Sequence, residues 1–149
     1  MGKSVNISIN WTEKLQFIAT NDITDTQVII EAPSEEDKPT QGTTSKQLFL
    51  QGLASCTAGV VIYLLEKMRA GLPTKFTIEA SGQLTNDHPM FFETISITYT
   101  IDGDISDDKI IKVIQMSEEK YCGLTYMLRD VAKFNVRVIS GCAYYNLNQ

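Results

Sequence analysis

The amino-acid sequence predicts an α+β domain with the order βββ-α-ββ-α-α-β and one long buried helix at its centre. Three observations carry this prediction. Runs with period-two alternation, such as Val5-Asn6-Ile7-Ser8-Ile9 and Thr94-Ile95-Ser96-Ile97-Thr98-Tyr99, lie on either side of the middle of the chain. Between them, Gln47 to Leu65 contains no charged residue. Further on, Ile110, Ile111, Val113, Ile114 and Met116 recur at helical spacing beside charged neighbours.

The elements follow in order. Val5 to Ile9, Leu15 to Ala19 and Thr26 to Ile30 form an N-terminal meander, turned at Thr12-Glu13-Lys14 and at Asn21-Asp22. Ala32 to Thr43 carries Pro33, Pro39, Gly42 and several charges, and reads as a mobile surface loop. Thr44-Ser45-Lys46-Gln47 has the pattern of a capping box, and Gly71-Leu72-Pro73 stops the helix that follows at about Ala70. Phe76 to Ala80 and Thr94 to Tyr99 are strands joined through a turn at Asn86-Asp87-His88-Pro89. Ser106 caps a second helix that opens on Asp107 and Asp108, as the helix dipole favours. Gly123 breaks the helix after Cys122, Leu124 to Val131 makes a third helix, and Phe134 to Val138 is the last strand.

Bulk properties narrow the function classes. At 149 residues and 43% hydrophobic content the chain suits one domain, residues 1–149, with a real core. A net charge of −5 with no Lys/Arg cluster argues against a nucleic-acid partner. The uncharged run is long enough for a membrane span, but Gln51, Gly52, Ser55, Thr57 and Gly59 interrupt it and no basic belt precedes it. A central core helix is therefore expected, with no membrane contact. Gly2 follows Met1 as at a myristoylated terminus, yet the start reads as a basic, β-like segment without an apolar signal core. The three cysteines form no CxxC or CxxH pair, so neither a disulfide framework nor a zinc site is expected, and the protein is read as cytoplasmic with reduced thiols.

Two of those cysteines carry the functional reading. Cys56 lies inside the uncharged helix and Cys122 at the end of the second helix, in Glu118-Glu119-Lys120-Tyr121-Cys122. A free cysteine is most often a core residue. Two thiols brought together by folding would instead support redox chemistry. Cys142, beyond the last strand, reads as incidental. His88 reads as a solvated turn residue, and Glu118, Glu119 and Lys120 as a solvated helix face. Tyr63, Tyr121, Tyr126 and Met127 read as core packing, and Tyr144 and Tyr145 as tail residues available to a partner subunit.

Lys46 to Cys56, Ser117 to Cys122 and His88-Pro89-Met90-Phe91-Phe92, with the element order from about residue 5 to residue 139, resemble the osmotically inducible protein C and organic hydroperoxide resistance family (OsmC/Ohr), closest to its YhfA-like branch. The resemblance implies an intertwined homodimer with active sites at the subunit interface. It implies a thiol peroxidase that acts on organic hydroperoxides, with Cys56 peroxidatic and Cys122 resolving, recycled by an external dithiol, and without metal or organic cofactor. The chain departs from the family in one respect. Hydroperoxide resistance proteins place an N-terminal arginine beside the thiolate, held by a glutamate early in the cysteine helix. Here no arginine precedes Arg69, and Lys46 or Gln47 holds the glutamate position. That departure keeps two alternatives open: a redox sensor or thiol–disulfide module, and a dimer that binds a small apolar ligand without efficient turnover.

Overall fold

The computed structural model describes residues 2–32 and 41–148. The chain divides into two compact units, Met1–Phe49 and Leu50–Gln149. In the first unit, β1 (Ile7–Glu13), β2 (Gln16–Asn21) and β3 (Val28–Glu31) form an antiparallel meander. The turns have local causes. Lys14 adopts φ +46° between β1 and β2, and its carbonyl accepts the Trp11 indole N–H at 2.9 Å. Asn21 Oδ1 accepts the backbone N–H groups of Ile23 and Thr24 at 2.9 and 2.8 Å, the local bonding that suits Asn to turns. Of the expected loop from Ala32 to Thr43, residues 33–40 lie outside the described residues, and Thr43 bridges back to β3.

The long helix α1 (Ser45–Lys67) begins with the expected capping box. Thr44 Oγ1 accepts the Gln47 N–H at 3.2 Å, and Gln47 Oε1 accepts the Thr44 N–H at 3.1 Å. Its end comes at Lys67, three residues before the expected stop, with Arg69 at φ +50° and Gly71 at φ +95° turning the chain out. By length and composition α1 could cross a membrane, with a mean hydropathy of 1.9. Its burial in this chain is one-sided. Leu53, Thr57, Val61, Leu64 and Leu65 are buried, whereas Gln51, Gly52, Ser55 and Tyr63 are exposed.

The second unit is built on a four-stranded sheet in the order β4 (Lys75–Leu84), β5 (Phe92–Asp102), β6 (Lys133–Ser140), β7 (Ala143–Asn146). Both central strands were foreseen, each end falling one to three residues short of the strand found. β4 and β5 pair antiparallel, and β5 and β6 pair parallel from Thr94↔Lys133 to Ile101↔Ser140. A parallel pair needs a crossover, which α2 (Asp107–Met116), the π-helix η1 (Ser117–Tyr121) and α3 (Gly123–Leu128) supply. On β5, alternation points Ile95, Ile97, Tyr99 and Ile101 to one buried face. They join Leu53, Val61 and Leu65 of α1 and Ile110, Val113 and Ile114 of α2 in a single core.

Several expectations change here. The tail is not free, because β7 pairs with β6 through the two-residue turn Gly141-Cys142, where Gly141 has φ +56°. Short strands after a turn of this size carry too few apolar residues to stand out in sequence. Tyr145 consequently packs against the core and donates its hydroxyl to Asp107 Oδ2 at 2.6 Å. Ser106 occupies the N-cap of α2 without a side-chain cap bond, and its carbonyl receives the Lys109 and Ile110 N–H groups. The third helix is shorter than expected and closes in a turn at residues 129–131. Tyr63, Tyr121, Tyr126 and Met127 are not core but half or more exposed. Arg129 covers the Tyr126 ring with its guanidinium 4.1 Å from the centroid, a stacked pairing that keeps an aromatic residue at the surface.

Ile97 lies wholly inside this core. Ile97→Ala should therefore lower the unfolding free energy by about 2–5 kcal/mol and Ile97→Val by about 0.5–1.5 kcal/mol, measured by urea denaturation at fixed protein concentration.

Candidate functional site

Folding brings the two predicted cysteines together. The Cys122 thiol donates to Cys56 Sγ with the sulfurs 3.2 Å apart, although 66 positions separate the residues in sequence. Both are free thiols. Cys56 sits in α1 and is partly exposed, while Cys122 is 1% exposed. The accessible sulfur is thus the one in the helix, and the buried sulfur lies behind it. Cys142 is exposed at the β6–β7 turn, and His88 is exposed in the β4–β5 turn that the Thr85 hydroxyl closes.

Local structure accounts for the position of Cys122. After Met116 the backbone widens into the single π turn of η1, and the Cys122 N–H reaches the Ser117 carbonyl at 2.9 Å. Such turns insert one residue into a helix, which rotates everything that follows by about 100° at 3.6 residues per turn. Cys122 then leaves the helix with ψ 107° and becomes the N-cap of α3, its sulfur accepting the Thr125 N–H at 3.5 Å.

The electrostatics of the pair follow from this placement. Burial is the largest influence on Cys56 and pushes its thiol above the usual range; the neighbouring Cys122 pushes in the same direction. The backbone N–H groups of Leu124 and Gly123, at the start of α3, oppose the rise. The help that Cys56 receives comes from the segment after Cys122 and not from its own helix, where it is the twelfth residue.

Beside the thiols lies a polar cluster that sequence reasoning missed. Thr57 Oγ1 contacts Tyr99 Oη at 2.6 Å and Ser117 Oγ at 2.9 Å, and donates to Glu118 Oε1 at 3.2 Å. Ser117 Oγ also donates to the Thr57 carbonyl at 3.1 Å, and Tyr99 donates to Glu118 Oε1. Thr57, Tyr99 and Ser117 are fully buried. Glu118 was expected on a solvated face; the π turn instead rotates it inward, where it is partly buried and its Oε2 is shut off from solvent. Signals for this cluster were present in the chain. Thr57 interrupts the spacing Leu53, Val61, Leu65, and Tyr99 interrupts Ile95, Ile97, Ile101. A polar side chain on an apolar face needs a buried partner.

Burial raises the Glu118 carboxyl above the ordinary carboxylate range, against hydrogen bonds from Tyr99, Thr57 and Thr125 that lower it. Burial and the adjacent Glu118 drive the Tyr99 phenol far upward, so it remains a donor. Glu118 Oε2 and Thr125 Oγ1 are both buried without a well-formed bond. Both residues also line a cavity of about 410 Å³ walled by Ala132, Phe134, Val136 and Leu147; neither cysteine is among its lining residues.

Comparison with known proteins agrees with this architecture. The sequence profile described as "OsmC-like protein" matches residues 18–137. Protein YhfA of Escherichia coli strain K12 is 22% identical over 121 residues, covering 80% of this chain and 86% of its own. The crystal structure of an OsmC-like protein from Mycoplasma pneumoniae has a TM-score of 0.81 at 20% identity, over 94% of this chain and 99% of that one. The organic hydroperoxide resistance protein OhrB of Bacillus subtilis has a TM-score of 0.66 at 17% identity, over 91% and 98%. At these identities the structural likenesses establish the fold.

Because Glu118 binds its proton more tightly in the folded chain than in the unfolded one, its contribution to stability is full below the ordinary carboxylate pKa. It is lost as pH rises through the raised value. Glu118→Gln keeps an acceptor for Tyr99 and Thr57 and offers an amide N–H to Thr125. Its melting temperature should equal or exceed that of the parent at about pH 8, and the advantage should vanish by about pH 4. Thermal melts across that range test this.

Proposed function

The chain belongs to the OsmC-like protein family, and from that premise we propose that it is a thiol-dependent peroxidase reducing organic hydroperoxides. The observation that carries the proposal is one accessible and one buried sulfur in contact at 3.2 Å. The Cys56 thiolate attacks the hydroperoxide O–O bond, taking one oxygen as Cys56–SOH while the alkoxide leaves and is protonated to the alcohol. The Cys122 thiol then attacks the Cys56 sulfur; the S–O bond breaks, the hydroxyl departs with the thiol proton as water, and a disulfide forms. An external dithiol reopens it by exchange and is itself oxidised to a disulfide. No metal or organic cofactor enters these steps. Cys56 packs partly buried against the apolar core, which suits an alkyl hydroperoxide. We further propose an intertwined homodimer, supported by the uncharged stretch of α1 that one chain leaves exposed, with Gln51, Gly52, Ser55, Gly59 and Tyr63 on it, and a reducing, cytoplasmic setting for the thiols.

A second reading has its own support. The raised thiol of Cys56, with no family-type arginine ahead of it in the sequence, favours a redox sensor or thiol–disulfide module that oxidises without rapid turnover.

One equivalent of cumene hydroperoxide should convert the reduced protein to a Cys56–Cys122 disulfide, mapped by mass spectrometry. Cys56→Ser should abolish turnover, and Cys122→Ser should permit a single oxidation that is not recycled through the internal bond. Retention of full activity by Cys56→Ser rules the peroxidase out, and disulfide formation with negligible steady-state rate selects the sensor. Because only the thiolate reacts, the oxidation rate should climb with pH through and beyond the ordinary thiol range, followed by stopped-flow mixing.

A further inference from the structure

The polar cluster has a geometric relation to the thiols that the peroxidase chemistry does not use. Thr57 directly follows Cys56 in α1, and Ser117 is the residue whose carbonyl holds the Cys122 N–H at 2.9 Å. These two neighbours are themselves joined twice. Their hydroxyls lie 2.9 Å apart, and Ser117 Oγ donates to the Thr57 carbonyl at 3.1 Å. Glu118 adds a third tie to the Thr57 hydroxyl at 3.2 Å, and Tyr99 a fourth at 2.6 Å from β5. The cluster therefore fastens the backbone beside Cys56 to the backbone that anchors Cys122, parallel to the sulfur–sulfur contact of 3.2 Å.

We propose that the Thr57 hydroxyl is a positioning group for the thiol pair, holding α1 against the π turn so that Cys56 and Cys122 stay in contact. The inference rests on the proposed pairing of these cysteines as a redox couple. Two features make the hydroxyl, and not the bulk of the side chain, the operative part. Thr57 is the polar member of a stripe whose other members, Leu53, Val61 and Leu65, are completely buried and apolar, so packing alone would be served by valine. The hydroxyl also lies within hydrogen-bond distance of Ser117, Glu118 and Tyr99, so its removal takes one donor proton and one acceptor oxygen out of the cluster that joins them. Buried groups that lose a partner move or take up water, and either response frees the π turn from the helix. A looser turn lowers the effective concentration of one thiol about the other, and with it the equilibrium constant for closing the internal disulfide.

The test is a thiol–disulfide titration in dithiothreitol redox buffers, reading the Cys56–Cys122 disulfide by alkylation and mass spectrometry on the full chain. It uses no peroxide. Thr57→Val keeps shape and removes the hydroxyl, whereas Thr57→Ser keeps the hydroxyl and loses a methyl group. Positioning predicts that valine shifts the equilibrium towards the dithiol about tenfold, or about 30 mV for a two-electron couple, while serine stays within about twofold of the parent. A role in packing alone predicts the reverse order, with serine the poorer variant. Ser117→Ala is the second probe and should shift the equilibrium in the same direction as valine, even if valine compromises folding. Parental behaviour of both Thr57→Val and Ser117→Ala overturns the proposal, as does a serine variant as impaired as valine, or a parent that closes no Cys56–Cys122 disulfide in any buffer. A parent that closes the disulfide here but ignores cumene hydroperoxide sinks the peroxidase and leaves the positioning role standing.

Discussion

The second unit depends on a buried junction where α1, β5 and η1 meet through side-chain oxygens. Thr57, Tyr99 and Ser117 place three hydroxyls within 3 Å contacts of one another or of their hub, and Glu118 closes the ring through Oε1. In an apolar core each of these groups costs about 1–3 kcal/mol if left unpaired. The elements that carry them are therefore held in one register. A slip of α1 along the sheet would strand the Thr57 hydroxyl. Apolar packing compacts this unit, and the polar junction selects one arrangement within the compact set.

That selection bears directly on the cysteines, because both lie within a few residues of the junction. Burial works against reactivity here, because it raises the Cys56 thiol above its ordinary range. The opposing contribution comes from backbone N–H groups at the start of α3, aimed at Cys56 because the π turn ends the preceding helix at Cys122. One extra residue in a helix thus does three things. It turns Glu118 inward, frees Cys122 from the helix ladder, and starts α3 beside the second sulfur.

The sequence made the architecture readable wherever periodicity was long. The uncharged run with its Thr44–Gln47 cap, the alternation of β5, and the apolar spacing of α2 all reappear in the structure with shifted boundaries. The two cysteines stood out from their helical settings and from family resemblance, while the distance between their sulfurs, 3.2 Å in the structure, could not be read from the sequence. What was not legible was short or non-local. β7 has four residues behind a tight turn, and a π turn has no composition of its own. Glu118 looks like its solvated neighbours Glu119 and Lys120 until the added residue turns it inward. Thr57 and Tyr99 did announce themselves as polar breaks on apolar faces, but naming each as the partner of the other required the helix to be docked on the sheet.

The distance in sequence between the two sulfurs has a thermodynamic side. A covalent bond joining positions 66 residues apart would close a large loop in the unfolded chain, and on chain-entropy grounds a loop of that length is worth about 4 kcal/mol. Oxidation at this site would then be recorded twice, once as a sulfur–sulfur bond and once as resistance to unfolding. By the same cycle the free energy of folding pulls on the bond, so anything that strains the native chain would also make its disulfide easier to reduce. The redox poise of the cysteines and the mechanical soundness of the fold would be two readings of one equilibrium.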